Sequence, residues 1–489
     1  MMTQQELEKY LWGAATALRG TIDAGDYKQY IFPLMFFKRI SDVYDEEFNN
    51  ALAESDGDLE YAAFAENHNF LIPEGSHWKD VRETTTNIGL ALQNAMREIE
   101  KGNPDTLEGI FGDASWTNKE RLSDAMLTNL IEHYSQHTLD LKNVPDDKLG
   151  NAYEYLIKEF ADDSGHTAAE FYTNRTVVKL MTMIMDPQPG ESVYDPTCGS
   201  GGLLLNCALH LKDEGKEYRT LKLYGQEINL LTSAIARMNM FMHGIEEFKI
   251  VRGDTLMSPA LLENDELKKF NVILANPPYS IKSWDRKAFE GDRYGRNLWG
   301  TPPQGCADYA FQQHIHKSLD LNNGRFAILW PHGILFRDSE AVMRRKMIKS
   351  DQIEAVIGVG ANLFYNSPMD AMILVGNTNK PANRKGKVLF INGKDDVIDN
   401  KGLAYLTTEH INKLYKAYKD FTDIPHYSTV ATNEEILALD GNMNVNFYVK
   451  KDNSNSDICF STALNEWQEA GDELKSSMNK LFEAAEYHE

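Results

Sequence analysis

Cysteine is scarce in this chain of 489 residues: there are four, and none lies in a CxxC pair. That argues against a disulfide framework and against a zinc site built on thiolate pairs. Long apolar runs are missing as well. None approaches the roughly 18 residues a membrane-spanning helix needs, so no membrane attachment is expected. The opening MMTQQELEKY has no basic stretch leading into an apolar one and does not read as a secretory signal. Basic side chains are in deficit, with 50 Lys and Arg against 73 Asp and Glu, a formal net charge of −23. The deficit is steepest over residues 1–150, where 27 acidic residues face 13 basic ones. Such a chain repels a phosphate backbone by itself. Work on nucleic acid would need a local basic groove or a partner that supplies the affinity. What is present is ordinary: 42% hydrophobic and 25% charged residues argue against a disordered or fibrous protein. The expectation is a cytoplasmic protein of two to four domains.

Residues 1–160 read as an all-helical domain. Leu7, Tyr10, Leu11, Ala14 and Leu18 recur at helical spacing, as do Tyr30, Leu34, Phe37 and Ile40. The acidic stretch 52–80 reads as a long irregular connection. Helical spacing returns at 120–160, where Leu149, Tyr153, Leu156 and Phe160 share a face. Over residues 161–455 the pattern changes. Short apolar runs at 192–195, 221–226, 248–254, 271–276, 325–330, 353–358 and 371–376 read as buried strands. Helical segments lie between them, around 201–213, 229–243, 306–320 and 338–349. Alternating β and α units with apolar strands predict a doubly wound, mostly parallel α/β sheet. Ligands of such sheets bind beyond the carboxyl ends of the strands. Residues 456–489 form a polar, helix-prone tail with a thin stripe of Leu464, Trp467, Leu474, Met478 and Leu481.

The first strand ends at Asp195 and runs into Pro196-Thr197-Cys198-Gly199-Ser200-Gly201-Gly202 before a helix. A glycine-rich turn lets a ligand approach the backbone and aims amide N–H groups at its anionic part. The acid at the strand end suits a ligand with hydroxyls and an ammonium group. No Lys-Ser/Thr pair follows, so this is not a phosphate loop of the P-loop kind, and the dinucleotide G-x-G-x-x-G spacing is absent. Glu227, at the end of the second strand, stands where ribose hydroxyls are usually bound. Asp254, after the third, can accept from an adenine amine.

The fourth strand runs directly into Asn276-Pro277-Pro278-Tyr279. Two prolines fix the backbone and forbid further ladder bonds. That rigidity suits methylation of a planar exocyclic amine, whose lone pair is delocalised into its ring. The Asn276 side-chain oxygen and the Pro277 carbonyl can each accept one of its N–H bonds, which frees the lone pair for in-line attack on a sulfonium methyl group. Tyr279 can stack on a flipped base.

Other residues weigh less. Cys198 and Cys306 read as small packing residues, since amine methylation needs no covalent step. His314 and His316, two apart, cannot share a helix face as ligands, and no metal is expected. His332 could line the base pocket. Lys282, Arg286, Lys287, Arg293 and Arg296, interleaved with Trp284, Tyr294 and Trp299, could form a phosphate-contacting rim. Arg344, Arg345, Lys346 and Lys349 form a second basic cluster.

These motifs together resemble the adenine-N6 DNA methyltransferases that use S-adenosylmethionine. More narrowly, the chain is similar to the modification subunits of type I restriction-modification systems. The resemblance rests on residues 11–47, 149–175, DPTCGSGGLL at 195–204, NPPYS at 276–280, WPHGILFR at 330–337, ANLFY at 361–365 and GNMNVNFYV at 441–449, in the family's order. It implies a Rossmann-like seven-stranded sheet and places the stretch Glu170, Phe171, Tyr172, Thr173 at the cofactor's methionine end. Asn174 stands where that family usually has proline, and residues 366–370 also depart from its pattern. The resemblance further implies S-adenosylmethionine as cofactor, held by residues 170–174, Asp195, Thr197, Gly199, Ser200, Gly201, Gly202, Glu227 and Asp254. Catalysis falls to Asn276, Pro277, Pro278 and Tyr279. The partners it implies are double-stranded DNA, a specificity subunit that reads the sequence, a restriction subunit and a second copy of this chain. A glutamine amide poses the same electronic problem as adenine, so a protein methyltransferase is the alternative. A non-catalytic assembly subunit is a third reading, opposed by the intact glycine turn and NPPY.

Overall fold

The computed structural model describes residues 2–18, 22, 26–163, 172–363, 370–400, 403–450 and, near the C-terminus, 464, 467–472 and 474–478. The N-terminal region is helical, with α1 (Gln4–Ala17), α2 (Lys28–Glu54), α3 (Ile88–Gly102), α4 (Asp124–Tyr134) and α5 (Asp146–Asp163) as its long elements. Thr3 starts α1 by accepting from the Glu6 amide, and the Glu6 carboxylate accepts in return from the Thr3 amide. All the apolar positions singled out by spacing in α1, α2 and α5 are buried in one core. The stretch 52–80 departs from its irregular reading. Helix α2 continues to Glu54, short helices follow at Leu59–Ala62 and Trp78–Arg82, and Ile72 and Trp78 enter the core. The Trp78 ring lies 5.3 Å from Phe37, and its indole N–H donates to Ser135. Isolated aromatic anchors in an acidic stretch leave no periodicity to read.

Beyond this region the described residues build a sheet of nine strands, the seven expected and two more. In chain order they are β1 (Ser192–Asp195), β2 (Lys222–Glu227), β3 (Phe248–Arg252), β4 (Val272–Ala275), β5 (Arg325–Pro331), β6 (Ile353–Val359), β7 (Ala371–Asn377), β8 (Lys387–Gly393) and β9 (Ser428–Thr432). Their spatial order is β9-β8-β6-β7-β5-β4-β1-β2-β3. Strand β7 runs antiparallel to both neighbours, as β9 does to β8; the other pairings are parallel. The seven expected strands are all present. The two extra strands, β8 and β9, extend the far edge, away from the motifs.

Helices α6 (Arg175–Met185), α7 (Gly202–Asp213), α8 (Leu230–Met242) and α11 (Thr408–Asp420) cover one face. Helices α9 (Asp308–Ser318) and α10 (Ala341–Lys349) cover the other. Alternation survives even in β5, buried from Phe326 onward: Phe326, Ile328 and Trp330 enter one core and Ala327 and Leu329 the other. Helix α8 is a shared wall. Its Ala236 and Met240 pack on the sheet, while Ile235, Met238 and Met242 belong to the core of the N-terminal helices. No helix among the described residues is long and apolar enough to cross a membrane.

Candidate active site

Strands β4, β1, β2 and β3 are neighbours in that order and parallel, so their carboxyl ends stand side by side. This brings Asn276, Asp195, Glu227 and Asp254 to one edge. Asp195 is buried, and its Oδ1 accepts from the Thr197 amide at 2.9 Å. Burial pushes its carboxyl up to about 8; the Thr197 amide opposes this and the nearby Glu227 charge adds to it. Glu227 spans two turns, accepting from the Gly199 amide at 3.1 Å and from the Asn229 amide at 2.9 Å. The Gly199 amide, expected to face a ligand's anion, is therefore occupied by a protein carboxylate. Asp254 accepts through Oδ1 from the Leu256 and Met257 amides, fixing the turn after β3.

The glycine turn is shaped by close neighbours. Gly199 and Gly201 have φ of 52° and 80°, which glycine adopts without strain. A Cβ on Gly201 would lie 2.8 Å from Met240, and one on Gly202 would lie 2.0 Å from the Arg175 guanidinium. The cleft beside the turn is lined by Thr173, Arg175, Asp195, Thr197, Ser200 and Asn276, among others. The buried Thr197 hydroxyl in it makes no well-formed hydrogen bond among the described residues.

Glu170 and Phe171 lie outside the described residues. The Tyr172 ring carries the Arg175 guanidinium at 4.3 Å. Thr173 Oγ1 accepts from the Asn276 side-chain amide at 3.1 Å, tying the loop before α6 to the NPPY turn. Asn174 acts as the N-cap of α6, accepting from the Thr176 amide, and donates to the Ala404 carbonyl. Its side chain is committed to the fold. Arg175 pairs with Glu154 of α5 and donates to the Thr173 carbonyl. Asn239 of α8 bridges Glu154 Oε1 and the Ser200 carbonyl. One polar network thus joins the N-terminal helices, the glycine turn and the 172–175 loop. Burial opposes the Glu154 charge, but Arg175, His243 and Asn239 more than offset it and hold the carboxyl below its ordinary value.

At the NPPY turn, Tyr279 does not lie open for stacking. Its hydroxyl donates to Asn276 Oδ1 at 2.5 Å, and its ring sits 6.2 Å from Trp330. Pro277 is buried.

The NPPY turn thus leaves the strand beside the one that ends in the glycine turn and its strand-end acid. The family described as N-6 DNA Methylase matches residues 144–457, and the family described as HsdM N-terminal domain matches residues 7–134. The chain belongs to the N-6 DNA methylases. Within them it is a modification subunit of the type I restriction-modification kind. It is 31% identical over 464 residues to the type I restriction enzyme MjaVIII methylase subunit of Methanocaldococcus jannaschii, covering 88% of this chain and 76% of that one. The MpnII methylase subunit of Mycoplasma pneumoniae is 27% identical, covering 97% and 95%. Among solved structures, the type I methyltransferase subunit from Streptococcus thermophilus superposes with a TM-score of 0.79 at 30% identity, covering 92% and 100%.

For a DNA methylase the basic residues matter, and the structure redistributes them. Arg296 is 2% exposed; it pairs with Asp292 and donates to the Thr255 and Leu256 carbonyls. Trp299 is buried too. Arg344, also 2% exposed, holds the Gly441 and Arg337 carbonyls, Lys346 holds the Trp299 carbonyl, and Arg345 pairs with Asp440. In the second cluster Arg344 is therefore structural, while Lys346 and Lys349 stay exposed, and Arg296 leaves the first. Lys282, Lys287 and Arg293 remain exposed. Cys198, Cys207 and Cys306 are buried free thiols, and burial pushes each above its ordinary value, as packing residues require.

Sequence reasoning missed Arg175 and Glu154. The signal for Arg175 was a basic residue directly after the 170–174 loop; for Glu154 there was none, because its partner lies 21 positions away. Two exposed apolar residues were also passed over. Ile228 follows Glu227 directly and Met257 lies three positions after Asp254, both more than half exposed.

Proposed function

We propose that this methylase transfers a methyl group from S-adenosylmethionine to the exocyclic N6 amine of an adenine flipped out of double-stranded DNA. The observation that carries the reading is the juxtaposition of Asn276 with the Asp195 strand end on adjacent parallel strands, with Thr173 bonded to both sides of the cleft. The cleft's chemistry fits the cofactor. Asp195 and Glu227 suit an ammonium and ribose hydroxyls, the Thr197 hydroxyl offers a further bond, and Arg175 suits a carboxylate. Ile228 and Met257 suit the two faces of the cofactor's adenine. When bound, the cofactor supplies an electrophilic methyl group. Asn276 Oδ1 and the Pro277 carbonyl then accept from the target amine and hold it for in-line attack, and Tyr279 supplies an aromatic face once its hydroxyl leaves Asn276.

Sequence recognition belongs, in this reading, to a separate specificity subunit, with a second copy of this chain and a restriction subunit in the full assembly. The net charge of −23 agrees with affinity for DNA supplied from outside the chain. The test is transfer of a labelled methyl group from S-adenosylmethionine to duplex DNA by the chain co-purified with the product of the neighbouring specificity gene. Label in N6-methyladenine, lost in Asn276→Ala, is expected. Label in protein glutamine instead would support the alternative, and no transfer at all would support a non-catalytic subunit.

A further inference from the structure

The NPPY turn leaves through Ser280, whose φ of 52° is left-handed, a conformation a residue with a Cβ seldom adopts. Something must hold it there. The Ser280 amide donates to Asp308 Oδ1 at 2.7 Å. Asp308 opens α9 and is wholly buried. Its other oxygen is paired with the Arg337 guanidinium. Arg337 also pairs with the buried Glu340 at 2.8 Å, and Glu340 in turn accepts from the Cys306 thiol at 3.3 Å. Cys306, Asp308 and Glu340 are close enough together to ligate a metal, but Arg337 already pairs with both acids. The cluster is linked to the reacting region by the Asp308–Ser280 bond, reinforced by the 3.4 Å approach of Arg337 to the Ser280 hydroxyl.

We propose that Asp308, backed by Arg337, is the positioning residue of the amine-binding turn: it pins the left-handed Ser280 so that Asn276 and the Pro277 carbonyl keep their places while Tyr279 gives up Asn276 to the target base. The inference rests on the proposed amine-methylation reading. Two prolines fix φ at 277 and 278. The freedom to rearrange is then concentrated at Tyr279 and Ser280. Fixing Ser280 confines it to the tyrosine, whose hydroxyl competes with the substrate for the Asn276 oxygen.

The experiment uses the full chain with its specificity subunit. Asp308→Ala removes the acceptor while Arg337 keeps Glu340. It should lower kcat about ten- to a hundredfold, the scale set by strain at a left-handed non-glycine residue. Calorimetric affinity for S-adenosylhomocysteine and KM for DNA should stay within about twofold, since the cluster does not line the cofactor cleft. Asp308→Asn keeps an oxygen acceptor and should recover most of the rate. Adding Ser280→Gly to Asp308→Ala should recover part of it, because glycine holds a positive φ without help. Ser280→Val, at an exposed position, serves if the Asp308 variants do not fold, and should lose kcat in the same way. Normal kcat in Asp308→Ala or Ser280→Val overturns the proposal, as does failure of both Asp308→Asn and Ser280→Gly to restore any rate. Asn276→Ala run alongside separates the two readings: if it is active, the amine-methylation reading itself fails.

Discussion

Tyr279 donates its hydroxyl to Asn276 Oδ1 at 2.5 Å, so the acceptor assigned to the target amine is occupied from within its own turn. Burial pushes the tyrosine well above its ordinary pKa, which keeps it a donor at any working pH. In the proposed reaction the substrate amine competes with this bond. Tyr279→Phe removes the competitor and keeps the ring. Methylation by Tyr279→Phe should equal wild type or exceed it by up to about tenfold, the net worth of one hydrogen bond. Tyr279→Ala, which loses the ring as well, should be impaired. Single-turnover rates on duplex DNA decide this; a Phe variant as poor as the Ala variant would mean the hydroxyl assists the reaction.

Asn276→Ala removes the side-chain acceptor and leaves the glycine turn intact. A preorganised hydrogen-bonding group at a reacting centre is worth about 10²–10³ in rate, and that loss is expected here. Cofactor affinity by calorimetry should change little, because on the cofactor side the variant gives up just the 3.1 Å bond to Thr173.

The places of Asn276 and Tyr279 at the end of a strand were legible from the sequence alone, and the reason is local. A strand that ends in NPPY, or in DPTCGSGG, announces its own geometry, because proline and glycine restrict the backbone whatever surrounds them. The seven apolar strands were legible for the same reason. The strands β8 and β9 were not: KVLFING has an apolar run as long as those of the legible strands but no motif beside it, and STVAT is mixed and takes its form from pairing at the sheet edge. Nor could spacing show that Arg296 and Arg344 turn inward, since a basic residue looks alike in sequence whether it meets a phosphate or a buried carbonyl. The Glu154–Arg175 and Asp308–Ser280 bonds depend on chain segments brought together only by the fold.

Asp195 sets a pH dependence. Its carboxyl stands near 8 in the folded chain, chiefly through burial, against an ordinary value near 4. The folded state then holds a proton that the unfolded state gives up. Stability from this group is present at low pH and declines as pH rises between about 4 and 8. Asp195→Asn should therefore raise the melting temperature most at pH 8 and least at pH 4. Binding of a cationic ligand favours the ionised acid, so affinity for S-adenosylmethionine should increase from pH 6 to pH 8 in wild type and lose that slope in Asp195→Asn. A flat calorimetric profile in wild type would refute the assignment.

Glu154 and Arg175 are about one-fifth exposed and share one network with Asn239 and Ser200. Removing one partner of a mostly buried pair leaves the other charge uncompensated, at a cost of about 3–5 kcal/mol. Glu154→Ala should lower the urea midpoint accordingly. It should also weaken cofactor binding, because Arg175 loses the partner that fixes it over Tyr172 and against Gly202. A stability loss with unchanged cofactor affinity would show that the network serves the fold alone.

The C-terminal tail yields the last prediction. Of its expected stripe, Leu481 lies outside the described residues, while Leu464, Trp467, Leu474 and Met478 are all exposed, Trp467 by 73%. An apolar stripe packed on its own domain would be covered, so these four side chains are not core residues of the described fold. Exposed apolar residues on short helical stretches, as at 467–472 and 474–478, are the chemistry of a surface awaiting a partner. Deleting residues 460–489 should leave the melting temperature and cofactor affinity unchanged and abolish co-purification with the specificity subunit. Trp467 gives a second, independent readout: its fluorescence should shift to the blue when the subunits are mixed, and Trp467→Ala should weaken assembly by at least about tenfold, as for an aromatic anchor at an interface. A truncated chain that assembles normally would move the interface to the N-terminal helices. A full-length chain that methylates one DNA sequence without any second subunit would remove the need for that interface altogether.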